Sequence, residues 1–395
     1  MTKDYKALAD ILRARPVGAT YVKNADPDKD FSSQIEVSGS TASVVIRDEP
    51  GTITEGTAFD FLTKEKLNPD EWEITSFRKS EWQSANGETL ESVRYSFAKK
   101  ASASGRLVLP DLDDIHKMAK EAVVVVPKKS HDGVSVITCL ADAQLGKVDS
   151  GGGFVEIFTQ MEKAKARWVE YVKQVQPQEI LLFDLGDSVE GFECVASEDR
   201  TNDLSLSEQI RVWRRVFWSW IETAASLAPK VKVISVPSNH ASIRRGRNKM
   251  GLPDDDFGIE VLAQVSDMAS VYPDKFGHVT FHSPKDFHES VVVKAVGGKY
   301  VGAVHGHQMK SPNGIEQWLA NQALGNNPLS HADIVLLGHY HHFASKSYGD
   351  KKTYFIAPAS DPGSSWYSNN SGNHAAPGVL VMTLDDTEWS GLCQL

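Results

Sequence analysis

Ile180-Leu181-Leu182-Phe183-Asp184-Leu185-Gly186-Asp187 is a short apolar run that ends on a glycine and an aspartate. A run this short, with polar residues on both sides, suits a buried strand better than a helix. In open α/β sheets, ligands bind beyond the carboxyl ends of the strands. A strand that delivers an aspartate at its end therefore points to both a fold and a site. Upstream, residues 134–140 read as a second buried strand and lead into Asp142-Ala143-Gln144. Downstream, residues 231–236 read as a third and lead into Ser238-Asn239-His240. Amphipathic helices are predicted between them, at about 154–175 and 205–228. The second opens with Ser205-Leu206-Ser207-Glu208, the pattern in which serine and glutamate cap each other's backbone amides. It carries Val212, Trp213, Val216, Phe217, Trp220 and Ile221 at the spacing of a core-facing stripe. Alternating strands and helices predict βαβ units.

The second half of this region is richer in strands, predicted at 291–296, 300–304, 334–337 and 354–357. After 300–304 comes His305-Gly306-His307, and after 334–337 comes Gly338-His339-Tyr340-His341-His342. A lone aspartate after a strand is most often a turn former, and a lone histidine is most often a hydrogen-bonded structural residue. Five strand ends that each deliver a metal-competent side chain, with no thiolate among them, are a different matter. Carboxylate and amide oxygens mixed with imidazoles suit manganese, iron or zinc, and not a structural zinc cage. Six or seven donors exceed the needs of one four-coordinate ion. They suit two ions about 3.5–4 Å apart that share a carboxylate, acidify a bound water to hydroxide and neutralise phosphate oxygens.

The order Asp142-x-Gln144, Gly186-Asp187-x-x-Glu190, Asn239-His240, His305-Gly306, Gly338-His339-x-His341 resembles that of the calcineurin-like metallophosphoesterases over residues 133–360. The resemblance implies a two-sheet α/β sandwich flanked by helices and hydrolysis of a phosphoester. It also implies that Asp187 bridges two ions. Asp142, Gln144 and His341 would serve the first ion; Asn239, His305 and His339 would serve the second. His240 would stand beside the phosphate as general acid, with Asp187 counted among the catalytic residues. Two positions depart from the family: Gln144 stands where a histidine is usual, and Ser238 where a glycine is usual. The weaker glutamine donor favours manganese or magnesium at the first position, with iron and zinc as alternatives. His307 and His342 are expected to be structural neighbours of the ligands. Within the family, the chain is similar to the SbcD-like DNA-repair exonucleases and to phage-encoded phosphoesterases of that type. This implies DNA as the substrate and an ATPase partner or a homo-oligomer. The alternative is a small-molecule phosphodiesterase or phosphatase acting on cyclic nucleotides, nucleotides or phosphoproteins. The basic loop Arg244-Arg245-Gly246-Arg247 would grip a phosphate backbone, with Arg244 and Arg245 as substrate-binding candidates. Ser364-Ser365-Trp366-Tyr367 would stack a base.

Residues 1–130 are expected to form a small α+β accessory domain, with residues 131–395 as the catalytic domain. In the first, residues 1–14 read as a helix, residues 34–48 alternate as a strand, and residues 58–67 read as a polar helix. Residues 72–75 and 92–97 read as strands around Asn86-Gly87, a hairpin signal. Residues 110–122 look like a connecting helix. Arg78, Lys79, Trp82, Arg94, Lys99 and Lys100 interleave charge and aromatics as a nucleic-acid face does. The 395 residues carry a net charge of −10, so polyanion binding would rest on local patches and metal. Three scattered cysteines argue against a disulfide framework. The sequence has no apolar run of membrane-spanning length and no visible secretory signal, which predicts a cytoplasmic protein with no membrane partner.

Overall fold

In a computed structural model, residues 33–395 are described except 39–40, 49–51, 66, 70–71, 84–88, 100–111, 194–201, 246–247, 250, 286, 364, 366–367, 370–371 and 373. The expected helix at 1–14, the Asn86-Gly87 turn, Lys100, Arg247 and the Ser364, Trp366 and Tyr367 positions lie outside the described residues. The chain divides into two units, Met1–Val108 and Leu109–Leu395.

The smaller unit contains a four-stranded antiparallel sheet. Its strands are β1 (Gln34–Ser38), β2 (Thr41–Asp48), β3 (Trp72–Gln83) and β4 (Thr89–Lys99), in the order β1-β2-β4-β3. The alternating stretch at 34–48 is therefore two strands, not one. Helix α1 (Glu55–Lys64) starts on a Thr54 cap, whose hydroxyl accepts from the Thr57 amide. Its Ala58 and Leu62 bury against Val44, Trp72 and Phe97 of the sheet.

The connecting helix exists as α2 (Leu112–Glu121), but it belongs to the larger unit. Tyr272 Oη lies 2.9 Å from His116 Nε2, and Lys275 donates to the Ala119 carbonyl at 3.3 Å. The division consequently falls ahead of this helix, at 108/109, and not after it at 130.

In the larger unit, β5 (His131–Leu140), β6 (Pro177–Asp184) and β7 (Lys230–Ser235) are parallel neighbours, as the βαβ reading requires. Helices α3 (Phe154–Val175) and α4 (Leu206–Ala225) make the crossovers. The basic loop holds a two-residue ribbon, β8 (Arg244–Arg245) with β9 (Asn248–Lys249). Next come α5 (Phe257–Val271) and β10 (Val279–His282). A second sheet is built from β11 (Ser290–Lys294), β12 (Tyr300–Val304), β13 (Ile334–Leu337), β14 (Ala344–Tyr348) and β15 (Lys352–Ile356), with α6 (Ile315–Leu324) between β12 and β13. The chain then returns to the first sheet with β16 (Leu380–Leu384) and β17 (Trp389–Gln394). The strand orders are β10-β7-β6-β5-β16-β17 and β11-β12-β13-β15-β14.

The two sheets face each other. Ile137, Leu181, Phe183 and Ile234 of the first pack in one core with Val301, Ala303, Leu336 and Phe355 of the second. The fold is an α/β sandwich flanked by helices. On its outer side, Trp168 of α3 donates its indole N–H to Thr138 of β5 at 2.8 Å. All six residues of the predicted α4 stripe are buried. On the other side, Ile315 and Leu319 of α6 bury against Val335 and Leu337. This packing brings the ends of β5, β6, β7, β12 and β13 together at one edge of the sandwich. No helix among the described residues is long and apolar enough to cross a membrane.

Candidate metal centre

The backbone turns left-handed just where the strands deliver their side chains. Eight described non-glycine residues have positive φ, and five of them are expected ligands: Asp142, Gln144, Asp187, His339 and His341. Such a conformation costs about 1–3 kcal/mol per residue and persists only where the surroundings impose it. Here the loops clamp one another. The Asp142 amide donates to Gly186 O at 3.1 Å, the Gln144 amide donates to Asp187 O at 2.8 Å, and the His339 amide donates to both Asp142 carboxylate oxygens at 2.9 and 3.1 Å. Gly186 itself has φ 93°, and a Cβ there would lie 2.5 Å from Ser238 Cβ and 2.9 Å from His305 Nδ1. Ser238, which stands where a glycine was expected, therefore packs against a position that has no side chain.

The expected second-ion residues converge. His305 Nδ1 donates to the Leu185 carbonyl at 2.7 Å. A carbonyl can only accept, so this bond fixes the tautomer and leaves Nε2 aimed into the site. Nε2 lies 3.0 Å from Asp187 Oδ2 and 2.9 Å from Asn239 Oδ1. One donor atom each of Asp187, His305 and His339 lies within 4.8 Å of the other two, and the rings of His305 and His339 are 5.1 Å apart at an edge-to-face angle. Oxygens of a carboxylate and an amide and nitrogens of two imidazoles thus meet at one point, which calls for positive charge between them.

Without an ion, a proton on His305 supplies that positive charge, and a metal would displace it. Burial alone would push the His305 imidazole down, but the Asp187 carboxylate beside it holds it up at about 9. Burial would raise the Asp187 carboxyl, yet the charges of His305 and His240 hold it well below the ordinary carboxylate range. Burial and the His305 charge press His339 down to about 4, so its ring is neutral and its lone pair free for a cation. These residues fit a divalent ion with mixed oxygen and nitrogen ligands.

The expected first-ion residues come together less completely. His341 Nε2 lies 3.6 Å from Asp142 Oδ1, and His341 Nδ1 lies 3.6 Å from Asp361 Oδ2. Burial and the Lys147 charge hold His341 well below its ordinary pKa, while burial, with Asp187 nearby, pushes Asp142 up to about 8. Gln144 is buried, and its Oε1 accepts from the Lys147 ammonium at 2.9 Å; the same ammonium reaches Asp361 Oδ2 at 2.7 Å.

His240 occupies the rim. Its amide donates to Asp187 Oδ1 at 2.8 Å, and its Nδ1 donates to the Glu190 carbonyl at 2.9 Å. Nε2 therefore points the other way, 3.4 Å from the Gln144 amide nitrogen. A general acid needs this placement: ring oriented from behind, reactive nitrogen forward. Arg244 donates from Nε and Nη2 to the Asn239 carbonyl at 3.2 and 2.9 Å, bracing the loop that carries a ligand. The backbone of Arg245 lies in β8, but its side chain is outside the described residues. His307 Nε2 lies 3.5 Å from Glu289 Oε2, and His342 Nδ1 donates to the Tyr340 carbonyl. Lys147 and Asp361 are charged neighbours of the expected ligands that the motifs do not include. Their only signal is a lysine one turn beyond Gln144 and an aspartate in the loop after β15.

No protein-family model and no curated protein matches the chain. Among solved structures it is similar to Vps29 from Chaetomium thermophilum, at 11% identity and a TM-score of 0.30, covering 66% of this chain and 96% of that one. It is also similar to a protein of unknown function from Aquifex aeolicus, at 12% identity and a TM-score of 0.20, covering 52% and 78%.

Proposed function

We propose that this chain is a divalent-metal-dependent phosphodiester hydrolase, with DNA as the substrate class. The observation that carries the reading is that His305 Nε2 lies within 3.0 Å of both Asp187 Oδ2 and Asn239 Oδ1, with His339 alongside and the His240 amide on the other Asp187 oxygen. A divalent ion held there would supply an acidified water and positive charge for the phosphate oxygens. Manganese is the ion that the donor set favours, with magnesium, iron and zinc as alternatives. The chain's own residues do the rest. Asp187 and Asn239 would hold the ion with His305, which is locked by the Leu185 carbonyl, and His240 Nε2 would deliver a proton to the leaving oxygen while the Glu190 carbonyl holds its ring.

A second reading, a small phosphodiester or phosphomonoester as substrate, is favoured by two observations. Arg244 is engaged with the Asn239 carbonyl, which leaves less of the basic loop for a phosphate backbone. A cavity of about 240 Å³ lies beside His341 and Asp361, walled by Ser150, Gly151, Ser368 and His374; it is below the usual range of ligand pockets and leaves room only for a small group. The two readings separate on a panel of linear single- and double-stranded DNA, cyclic nucleotides, dinucleotides and phosphopeptides with manganese. DNA degradation that disappears in His240→Ala supports the first reading. Intact DNA together with turnover of a small ester sinks it in favour of the second.

A further inference from the structure

The Lys147 ammonium sits where the sequence pattern calls for a cation of another kind. Lys147 is about one-tenth exposed and Asp361 nearly buried, and their contact at 2.7 Å joins residues far apart in the chain at the Gln144 corner of the site. Three features of this corner decide what it can hold.

The first is Gln144. Its oxygen accepts from Lys147 at 2.9 Å, and its nitrogen faces His240 Nε2 at 3.4 Å. An ammonium only donates, so the amide oxygen has to be the atom facing Lys147. The one donor atom that Gln144 could offer a metal already has an ammonium 2.9 Å away, and it is a weaker donor than an imidazole would be. The second is the geometry of the donors. Asp142 and His341 approach to 3.6 Å, but among the described residues they gather no third carboxylate, imidazole or thiolate into a mutual group, as Asp187, His305 and His339 do. The third is charge. The ammonium is held by Asp361 on one side and by the Gln144 oxygen on the other, and the second Asp361 oxygen accepts from the Gly363 amide. A divalent ion beside it would meet a like charge in a buried setting, where repulsion is screened least.

We propose that the centre holds one firmly bound divalent ion, at Asp187, Asn239, His305 and His339, and that the Lys147 ammonium, pinned between Gln144 and Asp361, takes the place and part of the charge of the other. The expected two-ion arrangement does not fit the residues at the first position. The inference rests on the metallohydrolase reading of the same site, and it makes Lys147 a positioning residue that tunes the electrostatics of Asp142 and His341.

The test is metal stoichiometry of the full chain. Protein stripped with a chelator, reloaded with excess manganese and desalted should carry one manganese per chain by elemental analysis. Its electron paramagnetic resonance spectrum should show the resolved hyperfine pattern of an isolated ion. Lys147→Met, which frees the Gln144 oxygen and removes the positive charge, should double the manganese content and broaden the spectrum to that of a coupled pair. Two ions in the wild type overturn the inference and leave the hydrolase reading intact. No ion in the wild type overturns both. A single ion in Lys147→Met overturns the role given to Lys147. If Lys147→Met does not fold, the wild-type count and spectrum still decide.

Discussion

At the scale of single residues, Asp187 is the hinge of the site. One carboxylate oxygen takes the His240 amide and the other faces His305. Asp187→Asn keeps an acceptor for that amide but removes the negative charge. Manganese affinity should fall more than about 100-fold, beyond the loss expected for an outer hydrogen-bonding partner, as read by isothermal titration. His240→Ala should lower kcat by about 10²–10⁴-fold with the metal content unchanged, because a general acid is lost and no ligand is. Equal loss of metal and activity would make His240 a ligand instead. The ligand candidates were legible from sequence because each follows an apolar run, and a strand end is a predictable place. Their left-handed backbone was not legible: aspartate, glutamine and histidine adopt it here only because loops from different strands clamp them. Lys147 and Asp361 escaped for the same reason. Their meeting depends on how β5 and the loop after β15 pack, which no local pattern encodes.

At the scale of elements, the helices are anchored by caps and by large aromatics. Ser205 accepts from the Glu208 amide, and Glu208 returns a bond to the Ser205 amide. Ser205→Ala should cost about 1 kcal/mol in urea unfolding. Trp213, buried and stacked 5.2 Å from Phe217, should cost about 3–5 kcal/mol as Trp213→Ala, because its removal leaves a cavity. Strong periodicity and a clear cap made the start of α4 readable to the residue, while its end falls at Ala225, three residues short of the predicted 228. The strands β12 and β13 fall on their predicted bounds because four or five apolar residues bounded by polar ones leave little choice. The sequence reading does not reach β16 and β17. They are the last strands in the chain, yet β16 pairs with β5, near the start of the same unit, and that long-range antiparallel pairing leaves no local mark.

At the scale of the whole molecule, buried acids tie stability to pH. Burial raises Asp184 to about 7 and Asp256 to about 6, even though Asp256 accepts from the amides of Ser238, Gly258 and Ile259. Both hold a proton in the fold at a pH where the unfolded chain has released it. Their stabilising contribution is complete below the ordinary carboxylate range, near pH 4, and is lost as pH rises through about 6 and then 7. The thermal midpoint of metal-free protein should therefore fall between pH 5 and pH 8, and Asp184→Asn should flatten that fall. A midpoint that rises over this window would contradict the assignment. The central claim, that a cation at Asp187, Asn239, His305 and His339 drives phosphoester hydrolysis, is tested most directly with a chromogenic aryl phosphodiester. Metal-stripped protein should be inactive, manganese should switch hydrolysis on, and His339→Ala should abolish it. No hydrolysis by manganese-loaded wild type, or equal hydrolysis by His339→Ala, would contradict the account.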